Sequence, residues 1–189
     1  MITPHLSTIT TDLSWDDVTL NEDTAKQVEE IKTWFKQSPM INHEGAEKNK
    51  KLARGYRSLF YGPAGSGKKL TAALIGKEFD KPVYKIDLSK LVSKYIGETE
   101  KNLETIFDRA EEKEWILFFD EADALFGKRT GVKDAHDKYS NQEVSYLLQR
   151  IENYNGLVIL ATNTKSNIDD AFIRRFNSMI HFSPSLPDC

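Results

Sequence analysis

The sequence predicts an α/β domain in which a parallel sheet of about five strands carries helices on both faces. Three observations lead there. Short apolar runs alternate with helical patterns along nearly the whole chain. Two of those runs, residues 115–119 and 157–161, are unbroken apolar stretches, as a strand buried on both faces requires. The first run, residues 58–61, passes directly into a glycine-rich turn and then a helical pattern. With 189 residues, 39% of them apolar and 29% charged, the chain suits one soluble domain with a sizeable core. Residues 1–14 are polar, threonine-rich and interrupted by Pro4, and read as a loose arm. The core is expected over residues 15–183, with 184–189 as a tail.

The elements follow in order. Asn21 or Asp23 can cap a helix over about 24–37, whose Ala25, Val28, Ile31, Trp34 and Phe35 fall at helical spacing, and Ser38-Pro39 ends it. Residues 42–57 are highly charged. The lysines and arginines there are interleaved with Glu44 and Glu47, so the run reads as a solvated connector or short helix rather than a nucleic-acid surface. After the strand at 58–61 comes a helix over about 68–79, then a strand at 83–86 ending in Asp87. A short helix or loop at 89–94 leads to a helix over about 98–112, with Leu103, Ile106, Phe107 and Ala110 on one face. The strand at 115–119 ends in Asp120-Glu121. Residues 127–139 read as a loop, and Ser140-x-x-Glu143 is a capping-box signature opening a helix to about Asn153. The strand at 157–161 ends in Thr162-Asn163, and a short helix at 169–175 and a strand at 179–182 complete the pattern.

Charge and composition exclude several classes. A net charge of −3 gives no global case for nucleic acid or an acidic membrane. The single cysteine, Cys189, rules out an intramolecular disulfide. No apolar run is long enough to span a bilayer, and the first residues lack the basic start and apolar stretch of a signal peptide. A cytoplasmic protein is expected. His136 has no cysteine or second histidine at metal-site spacing.

The chemistry concentrates where strands end, since ligands of a doubly wound sheet sit beyond the strands' carboxyl ends. Gly62-Pro63-Ala64-Gly65-Ser66-Gly67-Lys68, followed by Lys69 and Leu70 at the start of a helix, has the layout of a phosphate-binding P-loop. Glycines let backbone N–H groups turn toward an anion, the helix adds the positive end of its dipole, and Lys68 supplies a point charge. Asp120 suits a carboxylate that holds Mg²⁺ directly or through water, Glu121 a general base for the attacking water, and Asn163 a group that orients that water or touches the γ-phosphate.

Four motifs in this order resemble an AAA+ ATPase of the classical AAA clade, over about residues 15–182. They are the P-loop (Walker A), the apolar strand with Asp120-Glu121-Ala122-Asp123 (Walker B), Ala161-Thr162-Asn163 (sensor 1), and Asp170-Ala171-Phe172-Ile173-Arg174-Arg175-Phe176 (the arginine-finger region). The sequence is similar to bacterial single-module AAA ATPases encoded alongside contractile injection systems. The resemblance implies the large subdomain of a P-loop NTPase fold, ATP and Mg²⁺ as cofactors, hydrolysis coupled to remodelling or unfolding of a protein substrate, and a homo-hexamer for the full-length form. In that scheme Lys94-Tyr95-Ile96-Gly97 resembles the pore loop that grips a polypeptide, and the stretch around Lys128, Arg129 and His136 a second one. Arg174 and Arg175 act in the neighbouring subunit's site. The family separates its two arginines with a proline-glycine step, whereas here they are adjacent, so either can be the finger.

Two departures bear on activity. The Walker A pattern wants Ser or Thr after its lysine as a hydroxyl ligand for Mg²⁺, and this chain has Lys69. Loss of even an outer-shell partner typically costs roughly 10–100-fold in metal affinity or activity, so the alternative expectation is a nucleotide-binding scaffold or regulatory module with weak hydrolysis. The second departure is the family's helical lid, for which no room remains after the last strand. The sequence is either a fragment or a naturally short form, and in both cases weakened nucleotide closure and weaker hexamer formation are expected, with a monomer as one outcome.

Overall fold

The computed structural model describes residues 6–38, 55–88, 99–127 and 136–184. Among the described residues six strands form one sheet: β1 (Leu6–Ile9), β2 (Tyr56–Tyr61), β3 (Val83–Asp87), β4 (Ile116–Asp120), β5 (Leu157–Thr162) and β6 (Ser178–His181). Their order is β1-β3-β4-β5-β2-β6. All pairings are parallel except that of β1 with β3. The α-helices are α1 (Glu22–Gln37), α2 (Lys68–Glu78), α3 (Thr99–Lys113), α4 (Asp123–Phe126), α5 (His136–Asn153) and α6 (Asp170–Ile173). The expected parallel α/β sheet is present, and register aligns the strand ends. Tyr61 lies opposite Thr162, and Asp87 opposite Asp120.

The central strands β4 and β5 bury both faces, whereas the edge strands β1 and β6 are only partly covered. On one face, Val28, Ile31 and Phe35 of α1 and Ala72 and Ile75 of α2 pack on Phe60, Phe118, Ile159 and Ile180. On the other, Leu103, Ile106 and Phe107 of α3 and Leu147 and Ile151 of α5 pack on Leu59, Leu117, Phe119 and Leu160. Phe118 and Phe119 are adjacent in sequence and so enter opposite cores, each contributing roughly 1.5–3 kcal/mol by burial. Helix α1 starts at Asn21, whose side chain accepts from the Thr24 N–H at 2.8 Å, so Asn21 rather than Asp23 is the cap. The Thr24 hydroxyl donates to the His181 carbonyl and fastens α1 to the edge strand β6.

The structure differs from expectation in four places. Residues 6–9, expected within a loose arm, form the sixth strand, because the open edge of β3 offers them a hydrogen-bonding partner. Helix α5 begins at His136, four residues before the Ser140 signal, so the capping-box spacing falls inside the helix. Strand β2 begins at Tyr56, paired with Leu157, although its first two residues are the polar-tipped Tyr56 and Arg57. Helix α4 and the 3₁₀ turns Trp15–Asp17 and Lys165–Asn167 are short elements with too little periodicity to read. The connector over 42–54, the loop Lys94-Tyr95-Ile96-Gly97, Lys128, Arg129 and residues 185–189 lie outside the described residues. Among the described residues no helix is long and apolar enough to cross a membrane.

Candidate nucleotide-binding site

The loop after β2 is held by its neighbours on both sides. The Gly62 N–H donates to the Thr162 carbonyl at 3.3 Å, and the Phe182 N–H to the Tyr61 carbonyl at 2.8 Å. Gly62 has φ +149°, and a Cβ there would lie 2.0 Å from the Phe182 carbonyl oxygen, so only glycine fits. Gly67, at φ 93°, is the N-cap of α2 and supplies no side-chain cap. The positive end of the helix dipole therefore faces the loop unshielded by a capping oxygen.

Lys68 turns back into this loop. It is 8% exposed. Its ammonium donates to the carbonyls of Gly62 and Pro63, and to Asn163 Oδ1 at 3.3 Å. Burial lowers its pKa below the ordinary lysine value; the Asp120 charge opposes that shift, and the Lys69 charge reinforces it. The space beside Lys68 is a cavity of about 470 Å³. Residues 64–70 of the loop and first turn of α2 form one wall, and Asp120, Glu121 and Asn163 the other. Gly62 and Pro63 stand behind this wall and contribute their carbonyls to Lys68. The expected loop residues, carboxylates and asparagine thus meet at one place.

Glu121 adopts φ 56°, a left-handed conformation that costs a non-glycine residue roughly 1–2 kcal/mol. Its N–H donates to Asp120 Oδ1 at 3.1 Å. The following Ala122 N–H donates to the Ala161 carbonyl at 2.9 Å, and the Thr162 hydroxyl to Asp123 Oδ1 at 3.2 Å. These bonds tie the turn after β4 to β5 and leave the Glu121 side chain exposed at the cavity rim.

Asp120 is engaged by two ammonium groups. Lys85 Nζ lies 2.9 Å from Asp120 Oδ2, and Lys69 Nζ lies 3.7 Å from the same oxygen. Burial works against the Lys85 ammonium, but the hydrogen bond and charge of Asp120, aided by Asp87, prevail and hold its pKa above the ordinary value. This donor set does not suit Mg²⁺. At about 4 Å and an effective dielectric of about 20, one ammonium repels a divalent cation by about 8 kcal/mol, as much as one carboxylate attracts it. One ammonium on Asp120 therefore already offsets what that carboxylate offers a metal, and the second leaves the cluster net repulsive to it. The hydroxyls nearby do not compensate. Thr71 is fully buried, and the Ser66 hydroxyl is turned back to the Pro63 carbonyl at 2.7 Å. Among the described residues no group of three His, Cys, Asp or Glu side chains is placed to hold a metal.

Arg174 and Arg175 do not line the cavity. Arg175 pairs with Glu152 of α5 at 2.5 Å. Arg174, at the end of α6, is exposed and makes no ion pair among the described residues.

Residues 58–184 match the family model described as ATPase family associated with various cellular activities (AAA). The chain belongs to the AAA ATPase family. It is 37% identical over 139 residues to cell division protein C of Sulfolobus acidocaldarius, covering 69% of this chain and 37% of that protein. It is 34% identical over 150 residues to the AAA family ATPase y4kL of Sinorhizobium fredii, covering 78% of this chain and 43% of that one. The chain thus spans less than half the length of either relative. Among solved structures, the FIGL-1 AAA domain in complex with ADP superposes with a TM-score of 0.71 at 25% identity, over 98% of this chain and 60% of that chain.

Two residues at this AAA domain's site, and one away from it, escape sequence reasoning. Lys85 is a strand lysine that alone reads as a solvated position, and only its parallel neighbour β4 brings it to Asp120. Asp123 is visible in the Asp-Glu-Ala-Asp run, but its partner Thr162 lies on another strand. Glu152, in a helix whose inward face is apolar, has no signal that links it to Arg175.

Proposed function

We propose that this chain binds ATP in the cavity between the P-loop and the ends of β4 and β5, as the nucleotide-binding core of an AAA assembly that remodels a protein substrate. The observation that carries this reading is the convergence of Lys68, Asp120, Glu121 and Asn163 on one cavity at the head of an uncapped helix. In this reading the loop N–H groups and Lys68 hold the phosphates. Glu121, at the rim, takes the proton of the attacking water, and Asn163, hydrogen-bonded to Lys68, orients that water beside the γ-phosphate. Arg174 rather than Arg175 reaches the neighbouring subunit's nucleotide, since Arg175 is committed to Glu152. A homo-hexamer supplies that neighbour, and Lys94-Tyr95-Ile96-Gly97 forms the loop that grips the polypeptide. A relative named proteasome-activating nucleotidase, from Methanopyrus kandleri, supports a link to protein turnover.

A second reading is favoured by one observation. Asp120 is held by Lys85 and Lys69, so the carboxylate that should manage a metal is already neutralised. On that basis hydrolysis is weak and the chain acts as a nucleotide-binding regulatory module. Calorimetric titration of ATP into wild type and Lys68→Ala tests the first claim: binding that is lost in the variant supports it, and equal binding in both overturns it. ATP turnover of wild type beside Glu121→Gln separates the readings. A wild-type rate well above the variant's favours the working ATPase, and equal rates favour the regulatory module.

A further inference from the structure

We infer that this site takes ATP as the metal-free nucleotide, with the Lys69 ammonium standing against the outer phosphates where a divalent cation would otherwise sit. The inference rests on the reading of the cavity as a nucleotide site and specifies the form of the ligand.

Three features of the cluster lead to it. Lys69 is in the first turn of α2, beside Lys68, and lines the same cavity. Its side chain is 54% exposed and only loosely held by Asp120 at 3.7 Å, so it is able to swing to a phosphate. Lys85 is closer to Asp120, at 2.9 Å, and its side chain is 24% exposed, so the carboxylate keeps a counter-ion when Lys69 leaves it. The charge is thus already distributed. One ammonium neutralises Asp120, and Lys68 and Lys69 remain for the ligand. Such a site prefers the more anionic of two ligands, and metal-free ATP is more anionic than its magnesium complex. The hydroxyls that could rescue a metal are engaged with other groups or do not line the cavity. Thr71 is fully buried, Ser66 is turned to the Pro63 carbonyl, and Thr162 is bonded to Asp123.

The test is fluorescence titration of a methylanthraniloyl-ATP analogue into the whole chain, once in excess EDTA and once in millimolar magnesium chloride. Wild type should bind at least as tightly in EDTA, and added magnesium should weaken binding. Lys69→Thr should reverse the order and bind about tenfold or more tighter with magnesium than without. Lys69→Met removes the charge but keeps the length, and should lose affinity in EDTA relative to wild type. This second variant decides the matter if Lys69→Thr does not fold. Wild-type binding that requires magnesium, with Lys68→Ala not binding, overturns this inference and leaves the nucleotide reading intact. No binding by wild type in either buffer overturns both.

Discussion

Lys85 Nζ lies 2.9 Å from Asp120 Oδ2, a diagonal contact between the parallel strands β3 and β4 in which both side chains are less than a quarter exposed. A partly buried pair of this kind stabilises more than a surface ion pair, because removing one partner leaves the other's charge poorly solvated. Lys85→Met should lower unfolding stability by about 1–2 kcal/mol in a urea titration at neutral pH. The sign of the pH dependence follows from the raised Lys85 pKa. The stabilisation is fully present below the ordinary lysine value of 10.5 and is lost as pH rises through the higher folded value. A variant with unchanged stability would refute this account of the pair.

Lys68 shifts the other way, principally through burial, to a pKa below 10.5. Its protonated form binds phosphate, so ATP affinity of the wild type should fall as pH rises through a value below 10.5. Folding favours the neutral amine, so the Lys68 contribution to stability rises with pH over the same interval. Affinity measured between pH 7 and pH 11 by calorimetry reads the first effect directly. A midpoint at or above that of an ordinary lysine would contradict it.

The left-handed backbone of Glu121 sets stability against function. Glu121→Gly should leave stability unchanged or raise it by up to about 1 kcal/mol, because relief of roughly 1–2 kcal/mol of strain is partly offset by the entropy of glycine in the unfolded chain. Glu121→Val should instead destabilise by about 1–2 kcal/mol. Thermal melting of the two variants checks the order. ATP turnover should be lost in both if Glu121 is the base.

The two adjacent arginines should separate in a Lys69→Thr background, where turnover is expected to increase. Arg174→Ala should then reduce ATP turnover about a thousandfold. Arg175→Ala should reduce it far less and cost no more than about 1 kcal/mol of stability, since its pair with Glu152 is half exposed. The reverse order would make Arg175 the finger.

Much of this protein was legible without coordinates. The unbroken apolar runs at 115–119 and 157–161 and the helical spacing of Val28, Ile31 and Phe35 are local properties of backbone periodicity, and they predict the parallel sheet and its covering helices. Gly62 and Gly67 mark the turn because few other residues tolerate its dihedrals, so the phosphate cradle also declares itself locally. Asp120, Glu121 and Asn163 follow because strand ends of a parallel sheet share one edge. Tertiary structure alone decided which charges meet. The β3–β4 register delivers Lys85 to Asp120, the turn after α6 brings Arg175 to Glu152 of α5, and the open edge of β3 converts four polar-flanked residues of the arm into β1. An ion pair between distant elements leaves no periodic trace in a sequence. It depends on where two side chains arrive in space, and here that arrangement sets the Lys69 ammonium on the cavity wall, 3.7 Å from Asp120.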